Sequence, residues 1–168
     1  MKLERINYSS GAPLEEKVGY SRMVKIGPYI KIGGTTSVQP DGTVYGEDAY
    51  EQTKYVLEKQ IKLLEQAGAT KENVFSVFIY TTDISQGAKI CEAYAEFFHD
   101  IKPLNTMVEI TRLNRPTQFV EIEKEEKRRK KATETEENLE NGCFLGSTGS
   151  RKEEKRRKKG GEENYAII

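Results

Sequence analysis

Pro103-Leu104-Asn105-Thr106-Met107-Val108-Glu109-Ile110, followed by Phe119-Val120-Glu121-Ile122-Glu123, decides the fold of this chain. Polar and apolar side chains alternate in both stretches, as they do along a strand with one buried face. They read as two strands, 105–113 and 119–123, joined by a short turn. Upstream, Val74, Phe75, Val77, Phe78, Ile79 and Tyr80 make 73–82 a strand apolar on both faces. Between these strands, Ile90, Tyr94, Phe97 and Phe98 recur at helical spacing over 85–99.

Further out, Thr53, Val56, Leu57, Ile61, Leu64 and Ala67 form one apolar stripe over 47–67, with Gly68 as a C-terminal stop. Before that helix, 20–26 and 29–32 read as strands around the Gly27-Pro28 turn, the second entering Gly33-Gly34. The order is β-β-α-β-α-β-β. Each strand-helix-strand passage favours a parallel, right-handed crossover, and the hairpins add antiparallel neighbours. The expected fold class is α+β: a mixed sheet with both helices on one face. Two helices cover one face only, so the other must meet water or another subunit.

The chain has 168 residues, enough for one ordinary domain. Residues 1–123 hold 14 Lys/Arg against 17 Asp/Glu, and residues 124–168 hold 13 against 10. A mildly acidic body is a poor nucleic-acid surface, because phosphate contacts need Lys and Arg. Two cysteines, Cys91 and Cys143, with no CxxC and a lone His99, build no metal cluster, and no cofactor is implied. No apolar leader or membrane-length run is present, so a soluble, cytoplasmic protein is expected.

The expected domain ends at residue 123. Over 124–168 only nine residues are apolar or Cys, too few to offset chain entropy, so this tail is expected to be disordered. Lys-Glu-Glu-Lys-Arg-Arg-Lys-Lys occurs twice, at 124–131 and 152–159. The first copy either prolongs the last strand or forms a short charged helix. The Lys-Arg-Arg-Lys-Lys runs resemble nuclear-entry or anionic-surface motifs; a solvated charge run is the plainer reading.

Residues 1–123 resemble the Rid family, the YjgF-like reactive intermediate (imine/enamine) deaminases. The resemblance rests on Ala12-Pro13, Tyr20-Ser21, Gly33-Gly34, Gln52 and Ala67-Gly68-Ala69 leading to Asn73-Val74. It continues through Tyr94 with Phe97-Phe98, Pro103, Val108-Glu109-Ile110, Leu113 and Val120-Glu121-Ile122-Glu123. It implies a chorismate-mutase-like fold, a homotrimer with uncovered sheet faces turned inward, and small metabolites bound in clefts between subunits. Active members clasp the carboxylate of a 2-imino or 2-enamino acid with an Arg, whose planar fork matches it. Water then attacks the imine carbon and ammonia leaves.

Asn105 stands at that Arg position here, which with the Leu113-Asn114-Arg115-Pro116 turn resembles Arg-lacking branches. Met107 replaces a family Cys, and Cys91 an Asn of the second helix. Tyr20, Gly33, Gly34 and Glu121 are retained, with Glu121 as the candidate catalytic carboxylate. Strand alternation puts Asn105, Met107, Glu109 and Thr111 on one face and Arg112 on the other. Arg115 reaches the cleft only through its turn.

Each residue has a plainer reading. Tyr20 packs at an interface, Glu121 bonds backbone donors, Gly33-Gly34 serves conformation, Glu109 faces outward, and Cys91 is a packed thiol. Three functions follow: an imine/enamine hydrolase, a binding module without that chemistry because Asn105 carries no charge, and RNA binding or cleavage, with affinity from the tail alone.

Overall fold

The computed structural model describes residues 3–128. Asp48 starts the longest helix, α2 (Ala49–Gln66), by accepting a hydrogen bond from the Glu51 amide at 2.9 Å. Gly68 at φ +68° stops it. Ahead of α2 lie β1 (Arg5–Tyr8), α1 (Pro13–Val18), β2 (Met23–Ile26) and β3 (Tyr29–Thr35). After it come β4 (Val74–Thr81), α3 (Gly87–Phe98), β5 (Leu104–Glu109) and β6 (Val120–Lys127). The architecture is the mixed α+β sheet with two main helices expected from the sequence.

The six strands form one sheet in the order β1-β2-β3-β6-β4-β5. Only β4 and β5, joined through α3, run parallel. β5 and β6 therefore do not form the hairpin expected from their adjacency. β5 takes the outer edge of β4, and 110–119 carries the chain back across the sheet end so that β6 enters between β3 and β4. There Val120 and Ile122 are fully buried, and α2 grips the strand. Gln60 Nε2 donates to the Ile122 carbonyl at 2.7 Å. Gln52 Nε2 donates to the Thr117 carbonyl at 2.7 Å, and its Oε1 accepts from the Phe119 amide at 2.8 Å.

Strand β1 and helix α1 were not expected. Pro13 at the first turn of α1 and Gly19 at φ +82° after it are ordinary start and stop signals. The domain boundary expected at 123 falls inside β6, whose backbone pairs with β3 from Lys124 to Lys127. Hydrophobic content misses this extension because backbone bonds hold it, even with Lys124 and Glu126 turned inward and fully buried. Beyond residue 128 the tail expected to be disordered, the second charged copy, the completed Lys-Arg-Arg-Lys-Lys runs and Cys143 lie outside the described residues.

The core lies between α2, α3 and the sheet face bearing Ile30, Ile32, Val77, Ile79, Val120 and Ile122. Among the described residues no helix lies on the opposite face. It shows Ile26, Tyr29, Phe75, Phe78, Leu104 and Val108 as exposed apolar side chains. Among the described residues no helix is long and apolar enough to cross a membrane.

Candidate functional site

Strand β3 bulges where Gly33 and Gly34 occur: Ile32 pairs with Lys124, yet Thr35 pairs with Ile122, three steps against two. Gly34 is also where Glu121 crosses from β6. A β-carbon at 34 would lie 2.0 Å from Glu121 Oε1 and 2.9 Å from its Cδ. Glycine thus gives the carboxylate a seat on the backbone. Half-burial pushes the Glu121 pKa up, Glu123 adds to this, and Arg22 opposes it.

Gly19 turns the chain out of α1 toward Tyr20 and Arg22. The Arg22 amide donates to Tyr8 O at 3.0 Å, and its carbonyl accepts from the Gly33 amide at 2.9 Å. Its side chain is thereby held beside the bulge. Arg22 Nη1 donates to Gly34 O at 2.5 Å, and Nη2 lies 3.4 Å from the Tyr20 hydroxyl. The guanidinium carbon is 5.5 Å from the Tyr20 ring centre. Arg22 Nε is 3.7 Å from Glu15 Oε1. Glu15 is buried and accepts from the Ser9 hydroxyl and from the Ser10 amide and hydroxyl. Burial alone would raise its pKa; the serine bonds, with Arg22, outweigh this and lower it.

Of the expected site residues, Tyr20, Gly33, Gly34 and Glu121 lie along one stretch of the sheet. Arg22 and Glu15 complete this wall and were missed. Arg22 is two residues from Tyr20 in an extended segment, the spacing that puts side chains on one side, and was legible on that ground.

Asn105 and Met107 belong to the other sheet face. Asn105 is in register with buried Val77, and Met107 with buried Ile79. Glu121 is in register with Tyr80, one step out of phase with them, and β4 separates β6 from β5. Met107 packs against the core edge and toward α3, where its Cε would be 3.5 Å from a β-carbon on Gly87. Cys91 lies one helical turn beyond Gly87. It is exposed and not the packed thiol expected, because α3 turns Ile90 and Ala93 into the core instead. Nearby, the buried Tyr94 hydroxyl has no partner among the described residues, and burial, then Cys91, pushes its pKa up to about 12.

Glu109 is exposed, as expected, and accepts from the Ile84 amide at 3.0 Å. Arg115 is exposed on the turn before β6, its amide donating to Gln118 Oε1 at 2.9 Å. Among the described residues no group of three or more His, Cys, Asp or Glu is placed to hold a metal ion.

The chain therefore carries two separate surfaces, the wall of Tyr20, Arg22, Gly34 and Glu121, and the edge of Asn105, Met107 and Cys91. A hollow of about 480 Å³ on the helix-free face, walled by Val24, Ile26, Tyr29 and Phe75, reaches Ser21 and Gly33 beside the wall.

Residues 11–124 match the family model described as Endoribonuclease L-PSP. A RutC family protein of Pyrococcus horikoshii is 33% identical over 123 residues, covering 72% of this chain and 95% of that protein. Another RutC family protein, from Pyrococcus abyssi, is 38% identical over 95 residues, 56% of this chain and 75% of its own. A crystal structure of a YjgF/YER057c/UK114 family member from Mycobacterium tuberculosis aligns with TM-score 0.68 and 40% identity, covering 74% of this chain and 99% of that one. A YjgF family structure from Neisseria meningitidis aligns with TM-score 0.65 and 26% identity, covering 77% and 99%.

Proposed function

The chain belongs to the Endoribonuclease L-PSP (YjgF/RutC/Rid) family, and from that premise we propose that it binds small metabolites in clefts between the copies of a homotrimer, with imine hydrolysis as the chemistry of the bound state. The observation that carries this reading is the split between wall and edge. Glu121 and Asn105 sit on opposite faces of one sheet with β4 between their strands, so one protomer cannot present both to one ligand. A second copy resolves this if its edge meets the first copy's wall. The exposed Phe75, Phe78, Leu104 and Val108 then turn inward, away from water.

In such a cleft the half-buried Glu121 takes a proton from water as the water oxygen bonds to the imine carbon. The same carboxyl returns that proton to the nitrogen, giving a carbinolamine; it then takes the carbinol O–H proton and passes it to the nitrogen as the C–N bond breaks, leaving a carbonyl compound and ammonia. Its raised pKa suits a group that must hold a proton part of the time. The test is ammonia release from freshly generated 2-iminobutyrate or 2-aminoacrylate, with Glu121→Ala as control. Release above the buffer rate that disappears in the variant supports hydrolysis; a wild-type rate equal to buffer rejects it for these substrates.

The neutral Asn105 favours a second reading, binding without hydrolysis. Its amide offers two donors and one acceptor but no charge. Saturable binding of a keto acid or its amide without ammonia release distinguishes this reading. RNA binding fits less well: Glu121, Glu123 and Glu125 share one face of β6, and a row of carboxylates repels phosphates.

A further inference from the structure

We propose that Arg22 is the acid-recognising group of this cleft, supplying from the start of β2 the guanidinium that position 105 lacks. The inference rests on the cleft reading above and names the ligand class that the cleft takes, a small carboxylate.

Glu15 is an incomplete explanation for Arg22. The Glu15 carboxylate already accepts from the Ser9 hydroxyl, the Ser10 amide and the Ser10 hydroxyl. At 3.7 Å, Arg22 Nε is beyond hydrogen-bond length from it. The guanidinium has five N–H donors. One donates to Gly34 O, and Tyr20 Oη is a weak second partner at 3.4 Å. The remaining donors have no acceptor among the described residues, and the side chain is 20% exposed. It is therefore placed by its bond to Gly34 O, with Tyr20 and Glu15 alongside, while part of its fork stays open, the arrangement that binds a carboxylate bidentately.

The surroundings agree. Glu121 lies across Gly34, whose carbonyl Arg22 binds, so an acid on Arg22 brings its α-carbon toward the Glu121 carboxyl. Two other cations near this wall are engaged: Lys59 Nζ donates to Val38 O at 2.7 Å, with burial, then Arg22, lowering its pKa, and Lys31 pairs with Glu123 and Glu125.

The experiment is isothermal titration with pyruvate and with pyruvamide, which differ only in the carboxylate, against wild type, Arg22→Gln, Arg22→Lys and Glu15→Gln. Wild type should bind pyruvate more tightly than pyruvamide. Arg22→Gln should weaken pyruvate by about tenfold or more, the scale of a lost charged bidentate contact, with pyruvamide little changed. Arg22→Lys should fall between. Glu15→Gln, which removes the counter-charge but keeps an acceptor for the serines, should tighten pyruvate. Unchanged selectivity in Arg22→Gln and Arg22→Lys, with pyruvate still bound, overturns the assignment and leaves the cleft standing. No saturable binding of either compound to wild type overturns both. If Arg22→Gln fails to fold, the Lys and Glu15 variants decide alone.

Discussion

The carboxylate of Glu121 occupies the space in which Gly34 would need to place a β-carbon, with only 2.0 Å between that position and Oε1. A bulge in β3 and a side chain from β6 are therefore one construction. The glycine is required by its neighbour rather than by its own backbone angles, since its φ is not among the positive ones. Gly34→Ala should displace Glu121 toward solvent at a stability cost of only ~1 kcal/mol, because the end of a flexible side chain can swing aside. Ammonia release or ligand affinity should fall as far as in Glu121→Ala. In chemical denaturation, Gly34→Ala combined with Glu121→Ala should cost less than the two single variants added together.

Asn105→Arg restores a cation on the edge facing the proposed seam. The exposed position admits the longer side chain without disturbing the core. Pyruvate affinity should rise by about tenfold while pyruvamide affinity stays level. Isothermal titration checks this; equal gains for both compounds would point to added contact area instead of charge recognition.

Lys124 and Glu126 are buried under the helices with no hydrogen-bond partner among the described residues, Lys124 Nζ lying 5.3 Å from the Phe98 ring centre. Burial depresses the lysine and raises the glutamate, each partly opposed by the other's charge. Just above the ordinary glutamate range the folded pair keeps a proton that the unfolded chain has lost, so stability falls as pH rises; just below the ordinary lysine range the folded pair has lost a proton that the unfolded chain keeps, so stability rises again. Thermal melts from pH 5 to 10 should show a minimum between those two ranges. Lys124→Met with Glu126→Leu should remove that minimum and stabilise the protein by about 1–4 kcal/mol.

Gln52 ties α2 to the segment that launches β6. Gln52→Leu leaves the Phe119 amide and the Thr117 carbonyl without their partners. A loss of roughly 1–3 kcal/mol is expected from these two partly buried groups, read by urea unfolding.

Much of the fold was legible because its signals are periodic. The stripe at Val56, Leu57 and Leu64 and the run from Val74 to Tyr80 became α2 and β4, and two helices for one sheet left a bare face. Strand order was not legible. Alternation at 104–109 and 120–127 says that both are strands, but only α3 and the grip of Gln52 and Gln60 decide that β6 lies inside β4 while β5 lies outside. The wall was half legible. Tyr20, Gly34 and Glu121 carry the family resemblance; Arg22 stands two residues from Tyr20, a spacing that points to it, while its bond to a bulge carbonyl is not visible in the sequence. Charge content concealed the end of β6, where Lys124 and Glu126 break the inward-apolar rule.

The central claim is that the wall of one copy meets the edge of the next, and complementation tests it most directly. Arg22→Gln breaks every wall and Met107→Asp breaks every edge, so an assembly of either variant alone has no intact cleft. Refolded together in equal amounts, the two should regain pyruvate binding at roughly one cleft in four, the share pairing an intact wall with an intact edge in a closed ring. Light scattering should give about three times the 19.1 kDa chain mass. No binding regained from a mixture that has the trimer mass, or a mass of one chain, would contradict the account.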